Sequence, residues 1–193
     1  MLFLCQLDYR HIPYNHNVAH GGAPEDRRNV ATSGCGLCSL CMIVDQLTTK
    51  TLELTDCVRL SEENGANHGF GTDLRILGPI VADMYDLRME TTNSLDELAA
   101  HLRRGGRAVA NVGGDHDDHI GLFAYCGHYI VILSVDDDGT FCILDPDYSE
   151  GKFDREGRRG KLRIDAPFLY CKPGDLAADV ENRDPGFYLF SRK

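Results

Sequence analysis

The sequence predicts an α+β domain in which helices come first and strands follow. Apolar residues recur at helical spacing through the first half, whereas from Arg107 onward the chain turns to β-branched and aromatic runs bounded by Gly and Asp. The two textures do not alternate, which favours a helical part packed on an antiparallel sheet over a parallel βαβ arrangement. At 193 residues the chain is long enough for one substantial core and is read as one domain over 1–193.

The element with the most chemistry is the first helix. In SGCGLCSLCMIV, residues 33–44, Ser33 is a candidate cap, and Leu37, Leu40, Cys41, Val44 and Leu47 share one face. A buried helix therefore begins close to Cys35. DLRILGPIVADMYDL gives a second pattern through Leu74, Leu77, Ile80, Val81 and Met84, which Pro79 either interrupts or starts. The capping box SLDE at 94–97 opens a third, stopped by Gly105. RAVANVGG, GHYIVILSVDDDGTFCILD and PGFYLFSRK supply the strands. The polar stretch NHNVAHGGAPEDRRN at 15–29 is expected to be an exposed loop.

Composition excludes several functions. No apolar run is long enough to span a bilayer. Thirty acidic against twenty basic residues give a formal charge of −10, and the scattered Lys and Arg argue against a nucleic-acid partner. MLFLCQLDYR lacks a basic n-region, so a cytoplasmic protein with its eight cysteines mostly reduced is expected.

A thiolate is the working form of a cysteine nucleophile, and the unpaired N–H groups at a helix N-terminus favour that charge. Cys35 stands at such an end, between Gly34 and Gly36, which leave a substrate carbonyl free access. Cys38 and Cys41 lie further into the helix, where packing claims Cys41. A nucleophile needs a base. His128 opens the strand GHYIVILSV on a rigid element, whereas His11, His16, His20, His68 and His101 sit in polar contexts and read as solvated. If the DDDG turn at 136–139 pairs Val135 with Thr140, Ile130 faces Asp145. His128 and Asp145 then become diagonal neighbours about 7–8 Å apart. The expected set is Cys35 as nucleophile, His128 as base and acid and Asp145 as orienter. The Cys35 N–H and the Gln6 amide are candidate oxyanion donors.

These residues, in this order, resemble papain-like cysteine peptidases, specifically the branch similar to bacterial bacteriocin-processing, double-glycine-leader peptidases. QLDYRHIPY followed by SGCGLCSLCMI, then GFGTDLRILGPIVADMYDL, LDELAAHLRRGGRAVANV and GHYIVILSVDDDGTFCILDPD match that family's successive segments over about residues 6–147. The resemblance implies a papain-like fold and peptide or protein substrates. It assigns Gln6 to the oxyanion hole, Cys35 as nucleophile, His128 as base and Asp145 as third member, with no cofactor. The chain departs from the family pattern at Leu37-Cys38 and Cys41, and residues 148–186 have no counterpart in it. They read as a surface addition.

Other readings compete. Cys35, Cys38 and Cys41 have C-x-x-C-x-x-C spacing, but no fourth cysteine continues the rhythm, so no metal is expected there. Cys35 and Cys38 could form a redox pair. GGDHDDHIG at 113–121 carries metal-ligand types in what reads as a solvated acidic loop. Amidase, deamidase or transglutaminase-like acyl transfer on the same triad, or a non-catalytic papain-like binding module, are the functional alternatives to a peptidase.

Overall fold

A computed structural model describes residues 1–14, 28–68, 71–116 and 118–193. Its main sheet has seven antiparallel strands in the order β3 (Leu87–Thr92), β9 (Phe187–Arg192), β4 (Arg107–Val112), β5 (His128–Val135), β6 (Phe141–Leu144), β8 (Phe168–Cys171) and β7 (Leu162–Asp165). A small hairpin joins β1 (Asn67–His68) to β2 (Gly71–Thr72). The α+β class is as the sequence predicts, with one addition: helices cover both faces of the sheet.

On one face lie α2 (Cys35–Leu47), α3 (Leu54–Glu63) and α4 (Leu74–Met84), packed with Val109, Val131, Leu133, Tyr188 and Phe190. On the other lie α5 (Leu95–Arg103) and α6 (Pro173–Val180), against Ala110, Ile130, Ile132, Ile143 and Leu189. The alternation along each strand divides the two sets, because successive side chains point to opposite faces. Burial on both faces explains why YIVIL and FCIL are continuous apolar runs, which for an antiparallel sheet with one wet face would alternate with polar residues.

Helix α2 is buried almost all round, from Gly36 through Val44, as expected for a helix with no charge before Asp45. Its cap differs from the expectation. Gly34 is the N-cap, and Ser33 instead closes the preceding short helix α1 (Val30–Ser33). In α4, the Asp73 carboxylate caps the helix by accepting from the Arg75 N–H, and Pro79 lies inside it. Ser94 caps α5 by accepting from the Glu97 N–H, and Gly105 follows its end at φ 89°. Most of the predicted 15–29 loop lies outside the described residues; at its base Pro13 bridges Asn29.

Residues 148–186 are not a surface addition. They supply β7, β8 and α6, and Phe153, Leu169, Cys171 and Leu176 are buried in the second core. The segment lacks the strong periodicity of the first half because its strands are four residues long. His101 is also corrected: it is buried on α5, with Nε2 2.9 Å from the Phe190 carbonyl oxygen.

The β5–β6 hairpin decides the site's geometry. Near the turn Val135 faces Phe141 and Ser134 faces Cys142, one residue out of the predicted register. A bulge at Leu133 then absorbs the difference, so that Ile132 faces Ile143 and Val131 faces Leu144. Beyond the bulge the pairing is that of the predicted register, which carries Ile130 towards Asp145.

Candidate active site

Each predicted site residue sits at the end of an element. Cys35 is the first residue of α2, His128 the first of β5, and Asp145 follows the last residue of β6. His128 is 6% exposed and Asp145 fully buried, and His128 Nε2 lies 2.7 Å from Asp145 Oδ1. With Nε2 so engaged, Nδ1 is the ring nitrogen left for the thiol, and the ring interacts with Cys35. Gln6 bridges the two halves: its backbone N–H donates to the Pro146 carbonyl at 2.7 Å, and its side-chain Nε2 to the Ala31 carbonyl at 2.9 Å. It is thereby tied both to the residue after Asp145 and to the short helix α1 that precedes Cys35.

Cys35 and His128 line a cleft of about 630 Å³, together with Gly71 and Thr72 of β2, Asn111 and Arg183. Gln6 and Asp145 are buried and are not among the residues that line it. Gly36 sets the closeness of the walls. A Cβ there would lie 2.9 Å from Thr72 Cβ and 3.2 Å from Tyr129 Cδ2. Gly36→Ala is therefore expected to push β2 off α2 and cost about 1–3 kcal/mol, read as a lower midpoint in urea unfolding.

The electrostatics favour an ion pair. Burial opposes charge on His128, but the field of Asp145, its hydrogen bond and the Cys35 interaction outweigh that and push the imidazole up from 6.5 to about 9. Burial likewise opposes charge on Asp145, yet His128 and Lys152 together hold its carboxyl down at about 2. At neutral pH the pair is imidazolium and carboxylate.

Lys152 was not legible in the sequence. It is 7% exposed, and its Nζ sits 2.7 Å from Asp145 Oδ2 and 3.0 Å from Asp147 Oδ2. The Asp147 N–H also donates to Asp145 Oδ1 at 2.8 Å. Asp145 is thus held from both oxygens. The only sequence signal was a lone lysine seven residues on, in a turn-rich stretch without a repeat.

The cysteines separate as their positions suggest. All eight are free, and Cys38 and Cys41 are buried. Burial pushes the Cys38 thiol well up, and for Cys41 the interaction with Cys57 does so first, then burial. In the 113–121 loop, His119 Nε2 is 2.6 Å from Asp179 Oδ1, and that buried carboxylate also accepts from the Leu122 and Phe123 N–H groups. Asp179 thereby pins the loop to α6. Among the described residues no group of three metal-type ligands converges.

No family model matches the sequence, and neither does any curated protein. Among solved structures, the chain is similar to a C39-like peptidase from Bacillus anthracis, with TM-score 0.53 and 14% identity over 83% of this chain and 88% of that one. The chain has the papain-like fold of a C39 peptidase. Another similar structure is the peptidase domain of Streptococcus ComA, a bifunctional ABC transporter involved in a quorum-sensing pathway. It gives TM-score 0.49 and 12% identity over 89% of this chain and 96% of that domain. Cys35, at the start of α2, and His128, at the start of β5, line the same cleft. No helix among the described residues is long and apolar enough to cross a membrane.

Proposed function

We propose that this chain is a cysteine-dependent hydrolase of peptide or amide bonds, acting through an acyl-enzyme on Cys35. The observation that carries the reading is the buried His128–Asp145 pair, at 2.7 Å, presented to a cysteine at a helix N-terminus inside a cleft. The first-turn N–H groups of α2 and a protonated His128 both favour negative charge on the Cys35 sulfur.

The sulfur attacks the substrate carbonyl carbon, and the Cys35 N–H with the second Nε2 hydrogen of Gln6 receives the oxyanion. His128 donates its proton to the leaving amine as the C–N bond breaks. Neutral His128 next takes a proton from water, which attacks the thioester, and the carboxylic acid product leaves with Cys35 restored. Asp145 keeps the imidazole oriented through both transfers. The papain-like fold and the peptidase described in Bacillus anthracis support a peptide substrate. The absence of a required cofactor follows from this chemistry, since every proton and electron pair is supplied by the side chains, substrate and water.

The test is limiting iodoacetamide at mildly acidic pH, with adducts mapped by mass spectrometry. Cys35 is expected to label ahead of the other seven thiols, and His128→Ala to remove that advantage. As the pH passes about 9, where His128 loses its proton, the extra reactivity over an ordinary thiolate should fade. Equal labelling of Cys35 and Cys126, the exposed cysteine, would overturn the reading.

A further inference from the structure

Two arginines line the cleft, and their surroundings differ. Arg75 is neutralised by Asp73, its Nη2 lying 2.7 Å from Asp73 Oδ2 and its Nε 3.0 Å from Oδ1. Arg183 makes no ion pair among the described residues. Its Nη2 donates to a neutral acceptor, the Gly113 carbonyl, at 3.1 Å, and its Nε is buried without a partner. The next residue, Asp184, accepts instead from the Asn93 amide at 3.0 Å.

Arg183 is also placed with respect to the chemistry. The guanidinium packs on Gly127, where a Cβ would lie 2.6 Å from Nη2, so it stands one residue from His128. Its backbone is fixed by the hydrogen bond from its own N–H to the Val180 carbonyl at 2.9 Å. Because His128 protonates the departing amine, the leaving half of a substrate must lie on the His128 side of the cleft. The acyl half then lies on the Cys35 side, where Gly36 of α2 packs on Thr72 and the next residue, Asp73, already holds Arg75. A partly desolvated guanidinium on the leaving side, with donors to spare, is suited to a carboxylate.

We propose that Arg183 binds a carboxylate on the leaving-group side, so that this chain selects substrates with an acidic side chain, or a chain-terminal carboxylate, just beyond the scissile bond. The inference rests on the hydrolase reading above and gives it a substrate class. The carboxylate meets a guanidinium that no acid among the described residues pairs with, the cleft-lining Asp184 being engaged with Asn93. Screening by salt should weaken the preference, since the cleft is open to solvent.

The experiment uses a randomised octapeptide library in two arms, one with free C-terminal acids and one with C-terminal amides. Cleavage products are read by mass spectrometry, and the same protein batch is checked for His128-dependent Cys35 alkylation. Asp or Glu within two residues after the cut should be enriched roughly 10- to 100-fold over Lys, the range of a charge-assisted contact. Arg183→Glu should bring Lys forward and reject Asp and Glu. Enrichment confined to cuts near the end of the free-acid arm identifies a chain-terminal carboxylate as the ligand. A wild type without charge preference, a preference that survives Arg183→Glu, or labelled protein that cuts neither arm overturns the proposal while the hydrolase reading stands. Absence of His128-dependent labelling brings down the hydrolase reading itself.

Discussion

Asp145→Asn is expected to lower kcat/KM by on the order of 10²–10⁴-fold, measured on any peptide the wild type cleaves. The substitution keeps the shape but removes the charge that holds His128 protonated. Burial, which opposes charge on the ring, then goes unanswered, so the alkaline limb of the pH profile moves below pH 9. Stability depends on pH in a defined way. The raised His128 value stabilises the fold fully below its unfolded value of 6.5, and that contribution is lost as pH rises through about 9. The lowered Asp145 value stabilises it above 3.8, and that contribution is lost as pH falls through about 2. Urea unfolding of the wild type should therefore weaken at both ends, and Asp145→Asn should flatten both. A variant with wild-type kcat/KM and an unmoved alkaline limb would show that Asp145 does not orient the base.

Lys152→Met is expected to have the larger effect on stability. Lys152 is buried between Asp145 and Asp147, and removing one partner of a buried ion pair costs about 3–5 kcal/mol. For a chain of this size that is roughly 6–20 °C in Tm. Its effect on His128 is opposite to that of Asp145→Asn: the cation that shares the carboxylate is gone, so the imidazole becomes more basic and the alkaline limb moves above pH 9. Combining the two substitutions should cost less than the sum, because Asp145→Asn removes the charge that Lys152→Met leaves stranded. Additive losses, or an alkaline limb that moves down in Lys152→Met, would show that the lysine acts independently of the His–Asp pair.

Much of the site was legible because it is built from short-range rules. The helix period placed Cys35 at a buried helix's mouth, and turn counting across DDDG carried Asp145 to within reach of His128, 17 residues earlier. That count was one residue out at the turn itself. The bulge at Leu133 corrected it before it reached the site. The second helical layer was harder to read, because a strand buried on both faces and one buried on a single face differ only in their outer residues.

The sequence by itself determined the α+β order, the polarity of α2 and which two strands form the hairpin, since each follows from periodicity, capping or turn chemistry within about 20 residues. Only the tertiary structure decided that Lys152 grips Asp145, that Asp179 pins the 113–121 loop, and that Arg183 packs on Gly127, next to His128, without an ion pair among the described residues. Those contacts join irregular segments, whose side-chain directions no repeat specifies, so they exist only once the sheet has set its strand ends side by side.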